Sequence, residues 1–464
     1  MNTIRPKIIL IISAGIILQC ASGFLYAYKP LFITVHYANS LSGLSSAQLE
    51  SILKGGITNF NKVGGPDRKI NIYADKKISP EITGRYGNPA INSRDFSDIN
   101  ISYDKSLLGI SGIEGLTPGI KALYIDNRLP WGKINDNYAL SRDGDYSLAA
   151  DSADKYDEKR HITVIQTGVT AMTRAFIPAV ERSGDLFYPV RYTMEITKGA
   201  DISTTSNEVS FMDPCTYPLK NNLVFCSPAR YFQILEKSGF NVIELTGNHN
   251  NDFGDRHSLN TIQMMSKAGM RYYGGGMDKN DSEKILQLDV KGEKISFIGF
   301  NEIGPEQAFA GNNRSGAARL TREKYYDAVK RAVYGPGIVF VCVQWGNENN
   351  PVPEKKQEKY FRDAADMGAT IMVSSSAHRP MGIEFYRGKF ISYGLGNFLF
   401  DQMQTVNHRR GIIARHHFYR GRHIQTELIP YMIHDYCQPR PLHGKEAREL
   451  MEEIFRYSLG PVFR

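Results

Sequence analysis

From residue 161 onward, short apolar runs alternate with stretches in which apolar side chains recur every three or four positions. The runs at 161–167, 241–245, 271–273, 295–300, 338–343, 370–373 and 390–393 predict strands. The spacing at 229–237, 258–267, 322–333 and 356–367 predicts helices between them. Strands alternating with amphipathic helices bury both faces of a sheet, so this part reads as a layered α/β domain. Upstream, 30–155 is rich in Gly, Asn, Asp and Ser and looks irregular. One unit stands out there: Leu44, Leu49, Ile52 and Leu53 keep helical spacing behind a serine cap, Gly55 and Gly56 end it, and a strand follows at Ile70-Asn71-Ile72-Tyr73. The polar stretch 151–160 separates the two parts, and no internal repeat is visible.

The N-terminus changes the picture of where the chain works. Arg5 and Lys7 precede a nearly continuous apolar run from Ile8 to Leu18, the order of a basic and then an apolar export signal. The run continues to Tyr28, long enough to act as a membrane anchor if it is retained. Lipidation of Cys20 ranks last, because Gln19 is not the small residue such a signal prefers. Residues 1–29 are therefore expected to be a signal peptide or membrane anchor, with the rest in the cell envelope, periplasmic or otherwise extracytoplasmic.

A chain of 464 residues with 42% apolar content is globular and large enough for two or three domains. The net charge of +8 suits a polyanionic partner. Nucleic acid is not expected, since there is neither zinc-finger Cys/His spacing nor a Lys/Arg-rich block. Five cysteines are too few for a disulfide framework. Cys342 lies in an apolar strand and reads as a reduced core thiol, whereas Cys215 and Cys226 flank a polar loop that they would close in an oxidising compartment.

Three polar clusters each follow a predicted strand: 246–252, 344–348 and 374–379. The carboxyl ends of strands in α/β sheets line a common crevice, so three such loops are expected to converge, although each alone would be an ordinary turn. Within them His249 and His378 supply imidazoles, Asn248 an amide oxygen, and Glu208 a carboxylate from an earlier loop. Nitrogen and oxygen donors of this kind suit one zinc or manganese ion. Gly274-Gly275-Gly276 reads as a plain turn, because no Lys-Ser or Lys-Thr follows it. His416 and His417 fall in a strand-like run, where neighbours face opposite ways and cannot chelate one ion together.

At these loops the sequence resembles a known family. Leu245-x-x-Asn248-His249-x-x-Asp252-Phe253-Gly254, Trp345-Gly346-x-Glu348, Gly368-Ala369, Ala377-His378, Gly382-Ile383-Glu384 and Gly394-Leu395-Gly396-Asn397-Phe398-Leu399-Phe400-Asp401 occur in the order of CapA-type poly-γ-glutamate capsule synthesis proteins. The resemblance implies a metallophosphoesterase-like, layered two-sheet sandwich with helices outside for 156–464. It also implies a role in making, exporting or retaining the polymer, with capsule synthesis and export membrane proteins as partners. Asp252, Gln344, Trp345, Glu348, Asn397 and Asp401 become supporting positions of the site. The family pattern departs at Val169, where it has Asp, and at Gln344, Ser375 and Ser376, where it has His; of its Asn-Leu-Glu only Glu208 is kept. With those ligands gone, the resemblance implies at most one weakly bound manganese or zinc ion.

A second stretch, Leu44-Ser45-x-x-Gln48-Leu49-x-x-Ile52-Leu53-x-Gly55-x-Ile57-Thr58-Asn59-Phe60-Asn61-x-Val63-Gly64-Gly65, resembles a segment of periplasmic phosphate-binding-type solute receptors. It implies one small α/β lobe of periplasmic-binding-protein type over 30–155, suited to docking or polymer contact. The combined expectation is an exported capsule protein handling poly-γ-glutamate with a partly degenerate metal site. The rivals are a metal-dependent hydrolase or transferase acting on poly-γ-glutamate or a phosphoester through Glu208, His249 and His378, and an extracytoplasmic solute receptor.

Overall fold

The computed structural model describes residues 31–127, 156–215, 223–347 and 350–464; the expected export segment at 1–29 lies outside them. Among the described residues no helix is long and apolar enough to cross a membrane.

The strand expected at 161–167 runs further, His161–Ala171. Apolar content alone does not mark its end, because Val169 and Thr170 pair with Ser206 and Asn207 on one side while Asn397–Phe400 pairs on the other. This strand is the middle of a large sheet ordered Arg271–Tyr273, Val242–Glu244, Ile202–Asn207, His161–Ala171, Arg410–Tyr419, Arg422–His434 and Gln438–Pro441. A second sheet is ordered Leu286–Val290, Glu293–Asn301, Ile338–Gln344, Ile371–Ser375, Lys389–Ser392 and Ile383–Tyr386. The two pack face to face through Val164, Ile202 and Val242 on one side and Phe297, Phe340 and Ile371 on the other. Helices cover the outer faces: Asp255–Lys267 buries Ile262 and Met265 on the first sheet, while Arg322–Ala332 and Lys355–Met367 bury Val329 and Phe361 on the second. The layered two-sheet sandwich with helices outside is the architecture expected.

Residues 31–127 are more ordered than their composition suggests. Ser45 caps the helix Ser46–Leu53 with a reciprocal Gln48 bond, as the serine signal predicts. Around it a five-stranded sheet forms in the order Asn92–Arg94, Asn71–Asp75, Leu107–Ser111, Phe32–His36 and Ile120–Ala122. Asn71–Asp75, at the strand expected from 70–73, alternates buried and half-buried positions, whereas Phe32–His36 and Leu107–Ser111 are buried throughout and the other two strands are three residues long. The lobe docks on the hairpin of the large sheet. Tyr37 Oη donates to the Thr426 carbonyl at 2.7 Å, Tyr124 Oη to Glu427 at 2.6 Å, and Arg422 reaches the carbonyls of Ile113 and Leu116.

The hairpin also buries imidazoles. His416 bonds Gln166 at 3.1 Å and Thr426 at 2.8 Å, while His417 meets His161 at 3.1 Å, so the adjacent pair diverges as a strand requires. Burial holds these rings neutral, with His161 near pKa 4 and His423 near 3, and His416 and His417 also well below the ordinary value. Unfolded imidazoles bind protons near pH 6.5, well before the folded ones, so their stabilisation is complete above that pH and is lost as pH falls toward 4. His161 alone accounts for on the order of 3 kcal/mol. Denaturant midpoints should therefore drop steeply between pH 6.5 and 4; a flat profile would show that these rings are not buried neutral.

Candidate functional site

Chain direction brings the polar loops together. Ile202–Asn207, Val242–Glu244, Ile338–Gln344 and Ile371–Ser375 each run parallel to a neighbour in their sheet, and their carboxyl ends meet between the two sheets. The three loops converge: Thr246 Oγ1 lies 3.5 Å from Gln344 Oε1 and 3.3 Å from Ser375 Oγ. Gly247 allows the crossing, since a Cβ there would stand 2.5 Å from Glu208 Cα. A small gap of mixed character lies here, with Thr204, Glu244 and Ser375 among its polar walls and Val373, Ala377 and Leu395 among its apolar ones.

Gln344 organises the acceptors. Its Nε2 donates to Glu208 Oε1 at 2.9 Å and to Asn248 Oδ1 at 2.7 Å. An amide nitrogen carries two hydrogens, and here both point at oxygens that would otherwise be available to a cation. Below it Glu244 accepts from Ser375 at 2.6 Å and from Thr246. Burial lifts the Glu244 carboxyl above its usual range, against those two hydrogen bonds and with help from the Glu208 charge.

His249 is held differently. Its Nδ1 donates to Asp252 Oδ2 at 2.7 Å, and the same oxygen accepts the Phe225 backbone N–H at 2.7 Å. Burial pulls this imidazole down, but the Asp252 hydrogen bond and the Glu208 and Asp252 charges outweigh it, so it sits above its ordinary value despite the nearby Arg174. The Cys215–Cys226 disulfide, with Cα atoms 5.8 Å apart, ties down the segment next to Phe225, as the sequence led us to expect. His378 Nδ1 bonds Asn397 Oδ1 at 2.7 Å, and Asn397 Nδ2 in turn donates to the carbonyls of His378 and His408. Asp401 accepts Arg174 Nε at 2.9 Å and Ala175 N–H at 2.7 Å.

Thus Glu208, Asn248 and Gln344 come together, and the Glu208 charge reaches His249, while His378 belongs to the separate Asn397 group. Trp345 is not at the crevice. It is 1% exposed in the helix-side core, against Tyr360 and Phe361. Glu348 lies outside the described residues. Among the described residues no three His, Cys, Asp or Glu side chains are grouped to hold a metal ion. With Gln344 bridging the two oxygens, the donor set as arranged does not fit a resident divalent ion. Glu244 and Arg174 complete the site without belonging to any motif named above. Their signals were a charge inside the apolar run 241–245 and a cation just past a strand's carboxyl end.

A family model described as bacterial capsule synthesis protein PGA_cap matches residues 160–402, just over half of the chain. The capsule biosynthesis protein CapA of Bacillus anthracis is 25% identical over 295 residues, 62% of this chain and 71% of that protein. The PGA biosynthesis protein CapA of Bacillus subtilis (strain 168) is 28% identical over 218 residues, 47% of this chain and 57% of that protein, so less than two thirds of its length is spanned. Among solved structures, a 5'-nucleotidase precursor from Thermus thermophilus aligns with a TM-score of 0.35 and 10% identity, covering 64% of this chain and 58% of that one.

Two outcomes follow from the site's construction. Asp252→Asn removes the carboxylate hydrogen bond and one of the two charges that raise His249, leaving Glu208 alone against burial and Arg174, so the imidazole should titrate lower than in the native protein when followed by its proton shift in NMR. The stabilisation His249 gives the native protein is present below its ordinary value and fades as pH rises through the raised one; the variant should show a weaker trend. Cys215→Ser should lower unfolding stability by about 3 kcal/mol in denaturant, the loop-closure cost for a ring of this length. Recovery of both thiols freely alkylated from the native protein would refute the bridge.

Proposed function

The chain belongs to the family of bacterial capsule synthesis proteins, and on that footing we propose that in capsule biosynthesis it holds poly-γ-glutamate, or a closely similar anionic polymer, in the cell envelope, binding it in the crevice instead of cutting it. The family match supports the pathway, since it spans the strands and loops that build the crevice. One observation carries the choice of binding over hydrolysis: the Gln344 amide nitrogen engages both Glu208 and Asn248. An ion placed between those oxygens would have to displace a satisfied, buried amide, and burying that donor unpaired costs about 1–3 kcal/mol. Without an ion no bound water has its pKa lowered, and the crevice retains recognition groups without an activated nucleophile. The net charge of +8 favours a polyanion.

On this reading the N-terminal segment anchors the protein at the membrane, where synthesis and export proteins of the capsule would be its neighbours. The small lobe, fixed by Tyr37, Tyr124 and Arg422, adds a rigid second surface for the polymer or for those partners.

Protein purified without added ions should contain well under one equivalent of manganese or zinc by elemental analysis, and it should not shorten γ-linked glutamate chains. Gln344→Glu turns the bridging donor into an acceptor beside Glu208 and Asn248, and should raise manganese affinity at least about tenfold in calorimetry. Tight binding of one or two equivalents by the native protein, lost in His249→Ala together with a hydrolytic rate, would establish the metal-dependent hydrolase instead.

A further inference from the structure

Arg174 stands just past the end of His161–Ala171 with a left-handed backbone, φ 50°, which side chains other than glycine and asparagine seldom adopt. The site over-determines that position. Its Nε and Nη2 both bond Asp401 Oδ1, and the following N–H bonds Asp401 Oδ2 at 2.7 Å. Two rings flank the guanidinium, Phe225 at 4.8 Å and Phe400 at 4.9 Å from centroid to Cζ. Each ring meets an imidazole in turn: Phe225 lies 4.5 Å from His249, and Phe400 lies 5.4 Å from His378. His249, Phe225, Arg174, Phe400 and His378 therefore form one continuous row with a fixed cation at its centre.

Pairing with Asp401 does not account for this arrangement. The carboxylate takes one edge of the guanidinium, yet 26% of the Arg174 side chain stays open to water while Asp401 keeps 5%. Asp401 engages Nε and Nη2, so Nη1 and the second hydrogen of Nη2 form the edge it does not use. Two parallel N–H groups on such an edge match the two oxygens of a carboxylate, a geometry lysine cannot offer. Strained backbone held by several fixed contacts clusters at ligand sites.

We infer that Arg174 is the carboxylate-binding residue of the crevice, taking a free carboxylate of the γ-linked chain on its outer edge between the His249 and His378 ends of the row. The inference rests on the polymer reading above: γ-linkage consumes the side-chain carboxyl and leaves one α-carboxylate on every residue, so successive units present anions that an immobile guanidinium can take singly. Asp401 and the two phenylalanines act as positioning residues.

The test is calorimetric binding of a γ-linked glutamate decamer to the native chain, Arg174→Lys and Arg174→Gln, with poly-α-glutamate as the second probe and thermal melts as the check on folding. Arg174→Lys keeps a charge opposite Asp401 and should bind the γ-linked decamer about tenfold more weakly, and Arg174→Gln about a hundredfold. Equal affinity in all three proteins overturns the role of Arg174 and leaves the polymer reading standing. Binding of poly-α-glutamate alone, lost in the variants, removes the γ-linked polymer and keeps Arg174 as the carboxylate site. A native chain that binds neither probe removes both. If the variants melt early, phenylglyoxal modification of the native protein decides: the decamer should shield Arg174, and unchanged labelling overturns the inference.

Discussion

The crevice depends on one close crossing of backbone. Gly168 passes the turn at Gly396 so tightly that a Cβ would lie 1.8 Å from the Gly396 carbonyl oxygen, and that oxygen accepts the Val169 N–H at 3.0 Å. Only glycine fits such an approach. Because the strands are locked there, Asn397–Phe400 runs beside the end of His161–Ala171. Asn397 then reaches His378, Phe400 flanks Arg174, and Asp401 pins it. Any side chain at Gly168 would separate these two segments and dismantle one wall of the site.

Across the crevice the organising principle is electrostatic. Glu208 and Glu244 are both buried and lie close enough to feel one another's charge. Two carboxylates in such a place need compensation, by an ion, by donors or by a proton. Here the Gln344 amide donates to Glu208, the Ser375 and Thr246 hydroxyls donate to Glu244, and burial favours the protonated form of Glu244. A donor network of this kind fixes the shape of the crevice, and the guanidinium of Arg174 supplies a positive charge beside it.

The small lobe shares in that rigidity. Its contacts fall on the hairpin strand Arg422–His434, whose partner Arg410–Tyr419 pairs directly with His161–Ala171. Tyr37 also sits among Phe385, Phe455 and Phe463, so the C-terminal segment closes over the junction. A surface that belongs to the lobe is thus linked through two strand pairings to the strand that leads into Arg174.

Local chemistry made much of this legible. Seven strands and four helices between residues 161 and 393 showed in their periodicity because each buries one face or both, whereas the polar strand Ile202–Asn207, the long strand Arg422–His434 and the helix Gly444–Tyr457 did not; the loop at 246–252 was marked by polar residues following an apolar strand. The Cys215–Cys226 bridge was legible because it spans only 11 residues. The motifs also pointed to Glu208, Asn248, His249 and His378 as one neighbourhood, but not to how they are divided. Gln344 finds its acceptors 136 and 96 positions away, and Asp401 finds Arg174 from 227 positions away. Those partnerships exist only once two sheets bring distant strand ends together. In the lobe only the strand at 70–73 was legible, since Phe32–His36 and Leu107–Ser111 are buried on both faces and show no period, and packing sent Trp345 into the core although its neighbour Gln344 faces the crevice. Residue type sets what a side chain can donate, accept or carry as charge; which of those capacities is used, and against whom, is set by packing across the two sheets.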